Sequence, residues 1–144
     1  MMNSNTYRSS VNLPEVVKVI DNENYTTILR NKGLCELTYK SKGIITLDVA
    51  KELTKEILDF YPKGYVIVAD SDDVMLNISS EAREYFAKAP EILEKRKAQA
   101  IISRNLGQRL MAKFYINFYS HSCPTKAFSN KNDAFIWISQ YLLD

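Results

Sequence analysis

Apolar and polar residues alternate along the N-terminal part of the chain, as they do in half-buried β-strands. The alternation is clearest over residues 25–30 and 34–39. Residues 31–33, with the sequence NKG, tolerate a positive φ, so the pattern predicts a β-hairpin. The β-branched residues within 16–20 predict a further strand before this hairpin.

After the hairpin, segments with a helical period alternate with short apolar runs. Apolar residues recur at helical spacing from Leu47 to Phe60, with Thr46 suited to be the N-cap. The apolar run 65–69 predicts a central strand that is buried on both faces. Later helices are predicted over about 80–89, 105–119 and 131–141, with a short helix beginning at Pro90, and later strands over 98–103 and 125–128. The helix after Asn105 carries Leu106, Leu110, Met111, Phe114 and Phe118 on one side, which we take as its inner face.

The order of these elements predicts the fold class. A hairpin followed by alternating helices and strands favours an α/β fold, in which helices cover a mixed sheet. The chain has 144 residues, the size of one domain. We therefore predict a single domain over residues 11–144, preceded by a flexible, polar N-terminus of residues 1–10.

Composition excludes several classes of protein. With 46% hydrophobic and 25% charged residues, the chain is typical of a globular protein. No apolar run is long enough for a transmembrane helix and the N-terminus has no signal-peptide pattern, so we expect a cytoplasmic protein. Cys35 and Cys123 are expected to be free, buried thiols. The glycine spacing matches no nucleotide-binding loop, and we expect no metal or other cofactor.

Four segments of the chain carry a resemblance to a known family. They are YKSKGIITLDVAKELTKEIL, YVIVADSDDVMLNISSEAREYF, KAQAIISRNLGQRLMAKFY and PTKAFSNKNDAFIWI. Together they resemble the small bacterial STAS-like domain proteins of unknown function, across about residues 25–143. The resemblance implies a SpoIIAA-like (STAS-type) fold, and none of these segments contains a catalytic motif.

The STAS resemblance also implies candidate regulatory hydroxyls. In anti-sigma-factor antagonists of the STAS type, a phosphorylated hydroxyl opens the helix that follows the central strand. Ser79 and Ser80 stand at that place here, but Ile78 replaces the family's acidic residue and Glu81 replaces its glycine. A phosphate would gain from the helix dipole but be repelled by Glu81. The alternative is that these serines only cap a helix.

An acidic cluster follows the central strand. Asp70, Asp72 and Asp73 lie at the predicted carboxyl end of this strand, where ligands bind in open α/β sheets. Clustered carboxylates there would suit a magnesium ion. The alternative is a solvated acidic turn that ends the strand, since Asp favours such turns.

Positive charge is concentrated in one segment of the chain. The formal net charge is only +2, but residues 95–132 hold eight basic and no acidic side chains. Within this segment, we predict a surface for an anionic partner or ligand, formed by Arg104, Asn105, Arg109, Lys113 and Ile116. The partner would be an acidic protein, an anionic lipid headgroup or a phosphate. The low total charge argues against a sequence-specific nucleic-acid binder.

Three functions remain open from the sequence. The first is a non-enzymatic interaction or regulatory module that binds a protein or an anionic partner, with homo-oligomer formation left open. The second is a small-ligand or lipid-binding domain with a pocket between its helices and its sheet. The third, an enzyme using Asp70, Asp72 or His121, is the least favoured, because no catalytic constellation is present.

Overall fold

The computed structural model describes residues 11–40, 44–70, 78–118 and 123–144. They form a six-stranded sheet in the order β1-β2-β3-β4-β5-β6. The strands are β1 Val16–Asp21, β2 Tyr25–Arg30, β3 Leu34–Tyr39, β4 Tyr65–Asp70, β5 Arg96–Ile102 and β6 Thr125–Phe128. The helices are α1 Leu47–Phe60, α2 Ser80–Lys88, α3 Pro90–Lys95, α4 Leu106–Phe118 and α5 Lys131–Ile138. These elements confirm the predicted α/β class and the mixed sheet.

The sheet changes from antiparallel to parallel at β3. β1, β2 and β3 pair antiparallel, whereas β4, β5 and β6 continue from β3 in parallel. The hairpin turn has positive φ values at Lys32 (62°) and Gly33 (76°), as its sequence predicted. The positive φ of Gly33 favours glycine, and a Cβ at this position would also require the Leu143 side chain to move.

Helices cover both faces of the sheet. On one face, α1 and α2 bury an apolar cluster that includes Leu37, Leu53 and Ile67. On the other face, α5 packs against alternate residues of β4 and β5, among them Val66, Ala98 and Ala100. β4 is therefore buried on both sides, as its continuous apolar sequence predicted.

Side chains that begin the helices explain where several of them start. Thr46 Oγ1 accepts a hydrogen bond from the Val49 N–H at 3.3 Å, and Asn130 Oδ1 accepts one from the Asp133 N–H at 2.8 Å. Pro90 is the first residue of α3, a position at which proline loses no helical hydrogen bond. These predicted starts are confirmed.

The predicted orientation of α4 is wrong. Leu106, Leu110 and Phe114, which were expected to face the core, are exposed. The buried side of α4 instead presents Gln108 and Ala112 to the sheet. The apolar side of this helix is therefore not the side that the fold buries.

The prediction of a flexible N-terminus over residues 1–10 lies outside the described residues. Within the described ranges, no helix has the length and apolar character needed to cross a membrane.

Candidate functional site

A cavity of about 110 Å³ lies between the sheet and the helices α1, α2 and α4. Its walls are mostly apolar and aromatic. They are formed by Leu37, Tyr39, Leu53, Thr54, Ile57, Tyr65, Ile67, Ala69, Arg83, Phe86, Ile92, Arg96, Gln99, Ile101, Met111, Ala112 and Tyr115. A mainly apolar cavity with few polar groups is the usual form of a small-molecule site.

Arg96 is the most unusual residue of this cavity. It begins β5 and is only 5% exposed. Its Nη1 donates to the Phe86 carbonyl at 2.9 Å. That carbonyl lacks the usual helical donor, because Pro90, four residues later, has no N–H. Nε and Nη2 of Arg96 are buried and have no hydrogen-bond partner.

Three tyrosines surround the Arg96 guanidinium without neutralising it. Burial raises the pKa of Tyr39 and Tyr65, and the nearby guanidinium acts in the opposite direction on both. Burial also raises the pKa of Tyr115, against the lowering effects of the Arg96 charge and of side-chain hydrogen bonds with Gln99 and Arg96. All three hydroxyls therefore remain neutral near pH 7 and add no negative charge to the cavity.

The cavity lining is cationic. Arg83 also lines it, whereas no aspartate or glutamate is among the described lining residues. Among the described residues, Arg96 forms no ion pair. An arginine stays protonated in proteins, so Arg96 holds a charge that this part of the chain leaves unpaired.

A β-bulge turns Arg96 toward this cavity. In the pairing of β4 with β5, Tyr65 lies opposite Arg96 and Val66 opposite Ala98, so Lys97 is an extra residue. In a regular strand, Arg96 would share a face with Ala98, which packs toward α5. The bulge puts Arg96 on the cavity face instead. Sequence reasoning missed this residue because alternation alone assigns it to the other face.

A smaller cavity of about 40 Å³ adjoins the first. It shares Tyr39, Ala69, Ile101 and Ala112 with the larger cavity and extends to Ser103. The Oγ of Ser103 is buried and has no hydrogen-bond partner. The two cavities are thus neighbours that share mostly apolar walls.

One residue of the predicted acidic cluster contacts one residue of the predicted basic surface. Asp70 is buried and forms an ion pair with Arg104, so it is not part of a solvated turn. Asn105 Oδ1 accepts from the Gln108 N–H at 2.8 Å, and Gln108 Oε1 accepts from the Arg104 N–H at 2.7 Å. Arg104 and Asn105 therefore hold the start of α4. Asp72 and Asp73 lie outside the described residues.

The remaining members of the predicted basic surface lie together. Arg109 and Lys113 are exposed, and Ile116 is half-buried. All three line an open groove between α4 and β6, together with Ser103 and Phe128. The structure thus brings these residues to one place, and their role in binding a partner stays a prediction.

The two candidate regulatory serines differ in their contacts. Ser79 is the N-cap of α2, and its Oγ accepts a hydrogen bond from the Ala82 N–H at 3.1 Å. Ser80 is exposed in the first turn, and so is Glu81. Ser79 thus fulfils the capping alternative, and phosphorylation at either serine stays a prediction.

Both cysteines are free thiols, as predicted, but Cys123 is only half-buried, which corrects the prediction that both are buried. Cys35 is buried in β3, and its burial raises the pKa of its thiol well above the usual range. It is therefore a packing residue, without the thiolate character that a nucleophile requires. His121 lies outside the described residues.

Comparisons with known proteins place this fold in a family. A family model described as Domain of unknown function (DUF7793) matches residues 28–142. The chain belongs to this family. The match begins in β2 and ends just after α5, so it includes every wall of the cavity in the DUF7793 domain. Among curated proteins, the chain has no match.

A solved structure confirms the SpoIIAA-like fold. It is the crystal structure of an uncharacterised protein of the DUF3478 family from Shewanella loihica PV-4, described as having a SpoIIAA-like fold. The two chains are 18% identical with a TM-score of 0.51, and the match covers 89% of this chain and 97% of the other. The fold predicted from the resemblance is therefore correct.

Proposed function

We propose that this domain is a non-enzymatic binding module that takes a small organic carboxylate with an apolar body into the cavity at Arg96. One observation carries the proposal. A buried arginine with two unpartnered N–H groups lines an apolar cavity whose described walls hold no acidic residue. A ligand carboxylate would supply the missing negative charge.

The covalent geometry of arginine favours a carboxylate. Nε and Nη2 lie on the same edge of the guanidinium plane, and their N–H bonds point in nearly the same direction. This edge donates two parallel hydrogen bonds to the two oxygens of a carboxylate. An unpaired buried charge costs several kcal/mol of stability, so a ligand that pairs with it recovers much of that energy.

The rest of the cavity indicates the body of the ligand. Its walls are leucine, isoleucine, methionine and aromatic side chains, which favour an aromatic ring or a short aliphatic chain. Its volume of about 110 Å³ is near that of engineered apolar cavities of about 150 Å³ that bind benzene. A fully polar anion such as phosphate would leave these apolar walls without a partner.

The same walls support a role in binding rather than catalysis. No carboxylate, histidine or cysteine is among the described lining residues. General-base catalysis near neutral pH relies mostly on histidine or a carboxylate. The lining tyrosines have raised pKa values, which makes them poor bases at that pH.

The experiment is calorimetric titration of the purified protein with benzoate and octanoate, and with benzyl alcohol and octanol as neutral analogues. We expect the acids to bind and the alcohols to bind at least tenfold more weakly, since hydrogen bonds to charged groups contribute about 1.5–3 kcal/mol each. Arg96→Met should abolish this preference for the acid. Arg96→Lys should retain part of it, because lysine keeps the charge but lacks the two-donor edge.

Lys97→Met is the matched control. Lys97 is the next residue of β5 and is exposed, so its removal changes the net charge equally without touching the cavity. It should leave both affinities unchanged. Equal binding of acids and alcohols by the native protein, or unchanged benzoate binding in Arg96→Met, would contradict the proposal.

A further inference from the structure

Helix α4 presents an exposed apolar ridge on the side away from the cavity. Leu106, Leu110 and Phe114 are 64%, 59% and 54% exposed. They follow one another at intervals of four residues and therefore line one side of the helix. Three large apolar side chains on one side of a helix form a continuous exposed apolar surface, rather than scattered exposed residues.

Two cations lie directly beside this ridge. Arg109 and Lys113 are exposed and are one helical turn apart, so they line the flank next to Leu106 and Leu110. Neither forms an ion pair among the described residues. They also line the groove with Ser103, whose buried Oγ lacks a hydrogen-bond partner. The groove thus offers two exposed charges to an anionic group.

The charge of this face indicates what covers it. The two charged side chains of α4, Arg109 and Lys113, are both basic and exposed. A second copy docked symmetrically through α4 would bring two helices together whose charged residues are all basic, and like charges repel. The partner must therefore combine an apolar region with negative charge.

We infer that the outer face of α4 binds the surface of an anionic phospholipid bilayer. Leu106, Leu110 and Phe114 would enter the boundary between headgroups and acyl chains, while Arg109 and Lys113 contact lipid phosphates. Helices with an apolar ridge beside lysine and arginine bind membranes in this way, parallel to the surface. The ridge projects from a convex helix, which suits a deformable bilayer better than a preformed protein groove.

This inference stands on the outer face of α4 alone. The inner face of the same helix lines the cavity through Met111, Ala112 and Tyr115. A variant that fills the cavity at Ala112 should therefore keep its membrane binding. Failure of the carboxylate proposal and failure of the membrane inference are thus separate outcomes.

The test is flotation of the full-length protein with two kinds of vesicle. One is pure phosphatidylcholine, and the other contains ~30% phosphatidylglycerol, an anionic lipid. We expect binding to the anionic vesicles only, and weaker binding as salt is added. Because each cation near an anionic surface contributes about fivefold, Arg109→Gln with Lys113→Gln should weaken binding about thirtyfold. Leu110→Gln with Phe114→Gln should weaken vesicle binding by about tenfold or more, because apolar burial is lost.

Matched controls come from other surfaces of the domain. Lys126 and Lys131 are exposed cations of the same basic segment, and Ile136 is an exposed apolar residue of α5. Lys126→Gln with Lys131→Gln, and separately Ile136→Gln, should leave vesicle binding within about twofold of the native protein, since they lie outside the contact surface. All the changed side chains are exposed, so each variant should remain folded by circular dichroism.

Three results would overturn the inference. The first is no binding to anionic vesicles at low salt. The second is vesicle binding that the Leu110/Phe114 double variant does not weaken. The third is stronger binding to the acidic polymer poly-L-glutamate than to the vesicles, which would point to an acidic protein as the partner.

Discussion

Asp70 at the end of β4 and Arg104 just after β5 form an ion pair across two neighbouring parallel strands. The Asp70 side chain is only 5% exposed, whereas that of Arg104 is 32% exposed. The pair joins the acidic end of one strand to the segment that starts α4. Two residues with separate candidate roles in the sequence thus stabilise one another.

Loss of Arg104 should destabilise the domain more than loss of an ordinary surface cation. Arg104→Met leaves the buried Asp70 carboxylate without its cation, and we expect about 2–3 kcal/mol less stability in urea denaturation. Asp70→Asn in addition should recover part of that loss. Lys131→Met, which removes an exposed cation, should change stability by less than about 0.5 kcal/mol. A coupling energy near zero between Asp70 and Arg104 would contradict this expectation.

We expect Arg96 to contribute to ligand binding but little to the free energy of unfolding of the ligand-free domain. Arg96→Met removes an unpaired buried charge but also the hydrogen bond to Phe86. These effects oppose one another, so we expect the free energy of unfolding to fall by no more than about 1 kcal/mol. Benzoate should raise the melting temperature of the native protein but not that of the variant. A loss above about 3 kcal/mol would instead make Arg96 chiefly a cap for α2.

Filling the cavity should abolish ligand binding without unfolding the protein. Ala112 is buried and lines both cavities. In Ala112→Met, the flexible side chain should occupy the empty volume, so stability should change by less than about 1.5 kcal/mol while benzoate binding is lost. Ala127→Met, at an exposed position of β6, is the control for calorimetry. Unchanged benzoate binding in Ala112→Met would show that the acid binds elsewhere.

The two serines at the start of α2 should differ in their contribution to stability. Ser79→Ala removes the N-cap hydrogen bond to Ala82 and should cost about 1 kcal/mol in urea denaturation. Ser80→Ala removes an exposed hydroxyl and should cost less than about 0.5 kcal/mol. An equal or larger loss for Ser80→Ala would show that Ser80 is the stabilising residue.

Stability should decrease in alkaline solution because several tyrosines are buried. Burial and the hydrogen bond to Glu91 raise the pKa of Tyr85 to about 12, and burial raises the pKa of Tyr39 further. The unfolded chain loses these protons near pH ~10, while the folded protein keeps them. The tyrosines should therefore lower stability only above about pH 10, by up to about 1.4 kcal/mol per pH unit for each one that stays protonated. Cys35, whose thiol pKa is also raised by burial, should add a decrease that starts near pH ~8.5.

This decrease is measured by urea denaturation between about pH 8 and pH 11.5. Absorbance follows the ionisation of the tyrosines in the same samples. Tyr39→Phe removes one of the buried hydroxyls and should make the decrease shallower. The same steepness in Tyr39→Phe and in the native protein would rule out a contribution from Tyr39.

Most of the secondary structure followed from local patterns. The hairpin, the buried strand β4 and the starts of α1, α3 and α5 rest on alternation, capping residues and proline positions, all of which act over a few residues. The orientation of α4 did not follow. Its most apolar side carries Leu110, yet the fold buries the side of Gln108, whose Oε1 accepts a hydrogen bond from the Arg104 N–H.

The sequence by itself determined the α/β class, the order of the elements and the location of the basic segment, because these depend on neighbours along the chain. Only the tertiary structure decided which charges are paired and which are not. Asp70 is neutralised by a residue 34 positions away, and one extra residue in β5 turns Arg96 into the cavity. Burial and strand register are properties of the assembled sheet, so the candidate site at Arg96 became visible only there.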